Sequence, residues 1–192
     1  LSIGREAARD FRYDGDLKTL LNHMIEGGVR IRFQEGIAPR ETSWVRAQYS
    51  AHPPTITVYR SSIDQLSRFF HTSGRPVRMD DLVALHLIHE WFHHLEVNSI
   101  GRTDLRLPKV STTRIGPVSL KQSLKKTREI AAHAFTQETM GLSFYPLLLD
   151  RLLLYFNQGW NKQQIRTHFE KVKARYRDKS IMTGQRNFPN KR

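Results

Sequence analysis

The chain has no cysteine among its 192 residues. That excludes disulfides and thiolate ligands, so any metal must be held by histidine and carboxylate, and it fits a reducing compartment. Long apolar runs are missing too. The most apolar stretch, residues 144–156, contains Asp150 and Arg151 and is too short and too charged to cross a bilayer. Acidic residues are scarce, 18 against 31 Lys and Arg, which leaves a net charge of +13. No zinc-finger spacing, helix-turn-helix signature or RNA-binding aromatic motif accompanies that charge, which argues against base-specific reading. No signal peptide is visible, although the first residue is Leu1 and not methionine, and the expected location is cytoplasmic. At this length, with 39% hydrophobic residues, the chain can bury one core and carry a small appendage.

What is present is a histidine cluster. Four of the nine histidines fall between 86 and 94, and His89-Glu90-Trp91-Phe92-His93 reads H-E-x-x-H. A shuffled chain of this composition would carry that pattern only about 0.02 times. Leu82, Val83, Leu85, Leu87 and Ile88 make a buried helix its natural carrier, expected from about Asp81 to Val97 with Asp80 as the cap. Residues four apart share a helix face, so His89 and His93 can offer two neutral nitrogens to one tetrahedral Zn2+. Glu90 is rotated from His89 by about 100°, off the metal but within reach of the attacking water as a general base. The alternative is an amphipathic helix whose histidines are satisfied in the core.

A catalytic zinc site needs a third protein ligand. Glu129 is the candidate, because it is a carboxylate within an alanine-rich apolar helix, and a carboxylate buried there without a partner would be costly. Ala131, Ala132 and Ala134 would let that helix approach the first one closely. The competing reading pairs Glu129 with Lys125, Lys126 or Arg128 at the surface, and Glu96, Asp104 and Glu138 are weaker rivals for the metal. His86, one turn before the motif, either lines the site or bonds a buried carbonyl. His94 either supports the site from outside the ligand set or faces solvent. His133 shares the face of Glu129 and, with Tyr145, is a candidate to bond substrate or a developing oxyanion.

Two histidines in H-E-x-x-H followed by a Glu on a later helix resemble the gluzincin class of zinc peptidases. The order of parts is similar to the ImmA/IrrE family of small metallopeptidases. Gly27-Gly28 leads into Val29-Arg30-Ile31-Arg32-Phe33, then come Thr55-Ile56-Thr57-Val58-Tyr59, the motif, and Glu129-Ile130-Ala131-Ala132-His133-Ala134-Phe135. The similarity covers roughly residues 15 to 140, and only the motif is specific. It departs at Phe92, where the family usually has Gly, and at Ile88, where a small residue is usual. A gluzincin often has an acidic residue at the offset of His133 to orient the first histidine. The resemblance implies peptide hydrolysis, a substrate held as an added strand on a sheet edge, and one regulatory protein as that substrate.

The remaining chain supplies the scaffold. Asp16 opens a helix carrying Leu17, Leu20, Leu21, Met24 and Ile25, which Gly27-Gly28 ends. Strands are expected at 29–34, 44–49 and 55–60, with a loop at 36–42 and a turn at His52-Pro53-Pro54. A helix follows from Ser61 to Gly74, a long connection runs from Asn98 to Pro117, and a helix runs from Ser119 to Met140. Tyr145 to Leu149 begins an apolar helix. Residues 161–192 hold ten Lys or Arg against Glu170 and Asp178, a net of +8, on a helix that Ile165, Phe169, Val172 and Tyr176 would dock by one face. Disorder is expected after Ser180.

The expected protein is therefore α+β: a mainly helical, zincin-like domain over 1–160 with a small three-stranded sheet packed on the H-E-x-x-H helix, then a basic helix and tail over 161–192. The expected function is zinc-dependent hydrolysis of peptide bonds in a specific regulatory protein. The alternative is a basic, nucleic-acid-associated binding protein with a structural or inactive zinc site, whose end at 161–192 binds nucleic acid weakly and without sequence preference.

Overall fold

The computed structural model describes residues 1–36, 45–107, 110–115, 118–122 and 126–184. It divides into two compact units, Leu1–Leu148 and Leu149–Arg192, and the boundary expected at 160 falls inside the second. The fold is α+β, with eight helices and two small sheets among the described residues. None of the described helices is long and apolar enough to cross a membrane.

In the first unit the order is α1 (Ser2–Ala7), α2 (Leu17–Glu26), β1 (Arg30–Gln34), β2 (Ala47–Ala51), β3 (Pro54–Tyr59), α3 (Arg60–Thr72), α4 (Met79–Asn98), α5 (Thr103–Arg106), β4 (Val110–Ile115), β5 (Val118–Gln122) and α6 (Lys126–Thr139). Helix α4 carries the motif and is the axis of the unit. It buries residues on nearly every side, from Leu82, Val83 and Leu85 to Trp91, Phe92, His93, His94 and Glu96, which is how a helix surrounded by other elements reads. The elements packed on it are α2, α3, α6, β2 and β3. The small faces of Ala131, Ala132 and Ala134 are buried on α6 as expected. α6 also meets α1 at Gly4, where any Cβ would collide with the Ala131 carbonyl, so only glycine fits.

The three-stranded sheet has the order β1-β3-β2. β1 runs parallel to β3 with Ile31 opposite Ile56, while β2 is antiparallel with Tyr49 opposite Ile56. β2 is therefore an edge. Tyr59 N–H donates to Arg46 O at 2.9 Å, so strict alternation turns Gln48 and Ser50 toward β3 and leaves the backbone groups of Ala47, Tyr49 and Ala51 facing outward.

Several expectations need correction. α4 starts at Met79 after Arg78, without a side-chain cap, and Asp80 lies inside the first turn, where its charge suits the positive helix end. The described residues of the connection after α4 are mostly in regular elements. They include α5 and β4, and Ser119 belongs to β5, antiparallel to β4, instead of opening a helix. The Ser and Thr of 110–122 read as loop, yet they accompany Val110, Ile115 and Val118, and β-branched residues on both sides of Gly116-Pro117 suit a hairpin. Phe33 is 40% exposed, with the Arg60 guanidinium 5.6 Å from its ring, so β1 buries less than its alternation suggested. The loop at 36–42 and Trp44 lie outside the described residues, apart from Gly36.

The second unit takes most of α7 (Leu147–Asn157) and all of α8 (Lys162–Gly184). Asn161 and Gln164 cap α8 reciprocally: Gln164 N–H donates to Asn161 Oδ1 at 2.9 Å, and Asn161 N–H to Gln164 Oε1 at 2.8 Å. The helix continues past Ser180 to Gly184, where disorder was expected.

Candidate metal centre

Position four apart on α4 turns His89 and His93 toward α6, their rings 5.2 Å apart. There Glu129 meets both. Its Oε2 lies 3.2 Å from His89 Nε2 and its Oε1 3.3 Å from His93 Nε2. One ligand atom from each of the three residues fits within 4.8 Å of the others, and no other such group of His, Asp and Glu occurs among the described residues. Both contacts are of hydrogen-bond length and run to different oxygens of Glu129, so the three side chains form a compact candidate ligand set for a metal ion. The burial argument for Glu129 does not hold, since its side chain is 58% exposed. What places it is the packing of α6 on α4. Hydrogen bonds with His89 and His93 hold its carboxyl well below the usual carboxylate range.

Glu90 points to the edge strand. Its Oε2 accepts from Tyr49 N–H at 2.9 Å, one of the outward-facing groups of β2. Burial raises its pKa above the ordinary value, against the pull of His89 and His93. Glu90, His93, Arg128 and Glu129 share with Ala47, Tyr49 and Ala51 a cleft of about 430 Å³. Glu90, the candidate ligands His93 and Glu129, and the strand edge thus open into one space.

Around this centre the other histidines divide. His86 Nδ1–H donates to Leu82 O at 2.7 Å, the buried-carbonyl reading. His94 is buried, stacked on Trp91, with its Nδ1 3.1 Å from the Tyr49 hydroxyl and 3.0 Å from Asn98 Nδ2. His133 packs its ring 4.6 Å from that of His89, and its buried Nδ1 has no hydrogen-bond partner among the described residues. Tyr145 sits 5.4 Å from His133 but donates its hydroxyl proton to Ile130 O at 2.7 Å, so in this conformation it clamps α6 instead of serving an oxyanion.

Sequence reasoning missed the role of Glu96. It is wholly buried, and its carboxylate accepts from His93 Nδ1–H at 3.1 Å, Arg128 Nε–H at 2.9 Å and Thr103 N–H at 2.8 Å. Burial alone would raise its pKa, but these donors outweigh it and hold the group at about 2. The signal was available, because three residues beyond His93 lies on the same helix face.

His86 makes one pH prediction. Burial pushes its pKa from 6.5 down to about 3, so the unfolded chain takes up this proton first as pH falls. The stability it contributes is complete above pH 6.5 and drains away between there and 3. Denaturation of metal-free protein should therefore show a shallower loss over the upper part of that window in His86→Gln, which keeps a donor for Leu82 O. Parallel wild-type and variant curves would assign the loss to other groups.

No family model, curated protein or solved structure matches the chain.

Proposed function

We propose that the chain is a zinc-dependent peptidase of the gluzincin type, with a zincin-like fold resembling the ImmA/IrrE family. One observation carries the reading: His89, His93 and Glu129 converge from two helices while Glu90, one residue from the first histidine, faces the same cleft. His89, His93 and Glu129 would hold the ion. Zinc bound there would polarise the scissile carbonyl and make water a competent nucleophile at neutral pH. Glu90 takes the proton of that water and passes it to the leaving amine. The outward backbone groups of Ala47 and Ala51 pair with an extended peptide, an arrangement that tolerates many side chains. The substrate is one regulatory protein, and we place the enzyme in the cytoplasm. A proteome-wide search for new N-termini in cells carrying wild type or Glu90→Gln tests this. A cleavage found only with wild type is expected, and identical profiles with confirmed expression would count against it.

A second observation favours an added partner. The described residues of α8 present Lys162, Arg166, Lys171, Lys173 and Arg175 at the surface against Glu170. Trp160, Gln163, Gln164, Thr167, His168 and Lys171 line a groove of about 340 Å³ on this helix. This face suits weak, non-specific binding of nucleic acid through phosphate contacts. Binding to random duplex DNA should weaken steeply between about 50 and about 200 mM salt. Salt-insensitive binding confined to one sequence would promote the nucleic-acid-binding alternative over the enzyme.

A further inference from the structure

We propose that Glu96 is a positioning residue of the metal centre, setting both the presentation of His93 and the spacing between the two helices that supply the ligands. The inference rests on the metal reading above.

Its geometry is closed on all sides. The side chain has no exposed surface, and its two oxygens take three donors from three different segments. An amide could not do this, since Gln has a single acceptor oxygen and would turn its NH₂ toward one of those donors. His93 donates from Nδ1 to Glu96, so Nε2, which shares a proton with Glu129 in this structure, is the nitrogen left to give its lone pair to an ion. The second arm reaches α6 at Arg128, the residue before Glu129. One carboxylate therefore orients a ligand on α4 and registers the backbone that carries a ligand on α6. The third arm, Thr103 N–H at the start of α5, ties down the chain that leaves α4.

A buried carboxylate that merely fastened helices would affect stability and nothing more. A positioning residue also changes how tightly the folded protein holds its ion, by about 10- to 100-fold for a partner of this kind. The test is competition for Zn2+ against a chromophoric chelator, with thermal unfolding of each protein beside it. Glu96→Gln should remain folded and bind Zn2+ about 10- to 100-fold more weakly than wild type. Ile63→Ala, a core truncation on α3 outside the site, should lower the unfolding temperature while leaving Zn2+ affinity unchanged. Should Glu96→Gln not fold, Arg128→Gln removes only the α6 arm at a half-buried side chain and should still weaken Zn2+ binding about tenfold. Tight Zn2+ binding by wild type with equal affinity in folded Glu96→Gln, or in Arg128→Gln where that variant stands in for it, would overturn the positioning role and leave the metal reading standing. Wild type that binds no Zn2+ would overturn both.

Discussion

Glu90→Gln should lose peptide hydrolysis by roughly two to four orders of magnitude while keeping its fold and its zinc. The substitution is nearly isosteric, and Gln can still accept from Tyr49 N–H through its carbonyl oxygen, so the contact between α4 and β2 survives. What would disappear is the carboxylate oxygen proposed to take a proton from water. None of the three ligand atoms belongs to Glu90, so metal content should match wild type. Hydrolysis of the natural substrate by the variant at the wild-type rate would remove Glu90 from the chemistry. A fall in zinc content alongside activity would instead make it part of the metal's support.

The largest effect on stability is expected from Phe135→Ala. Phe135 is fully buried on α6, its ring centroid 5.4 Å from Phe92 on α4 and 5.9 Å from Phe11. Truncating such a ring costs roughly 3–5 kcal/mol through lost burial and the cavity left behind. Domains of this size are stable by about 5–15 kcal/mol, so one substitution removes a large share. The same contact sets the approach of α6 to α4, so zinc affinity should fall with it. Chemical denaturation of metal-free protein reads the first effect. A loss below about 1 kcal/mol would mean that the interface collapses into the gap.

Much of this arrangement was legible where one local rule decided the outcome. Asp16 accepts from Lys18 N–H and opens α2, and Gly27-Gly28 close it, because capping chemistry is written in adjacent residues. The β-branched run at Thr55–Tyr59 gave β3, and the apolar run before His89 gave α4. Other features depended on distant partners. Glu129 was placed by a burial argument that its 58% exposure does not support, whereas its position follows from how closely alanine faces let α6 approach. Glu96 was weighed only as a rival ligand, since nothing local says that Thr103 and Arg128 converge on it. The hairpin of β4 and β5 was hidden because its Ser and Thr suit turns as well as strands. Tyr145 kept the expected neighbourhood beside His133, but its hydroxyl is spent on Ile130 O, a backbone partner that sequence spacing does not reveal.

The most direct test is elemental analysis of wild type and His93→Ala, both purified without added metal. His93 would give Nε2 to the ion and holds Glu96 through Nδ1, so its loss should remove one candidate ligand and free the carboxylate that ties Arg128 on α6. The expected result is near-stoichiometric zinc in wild type and almost none in the variant. Wild type without zinc, or near-stoichiometric zinc that survives in His93→Ala, would contradict a metal centre built from His89, His93 and Glu129.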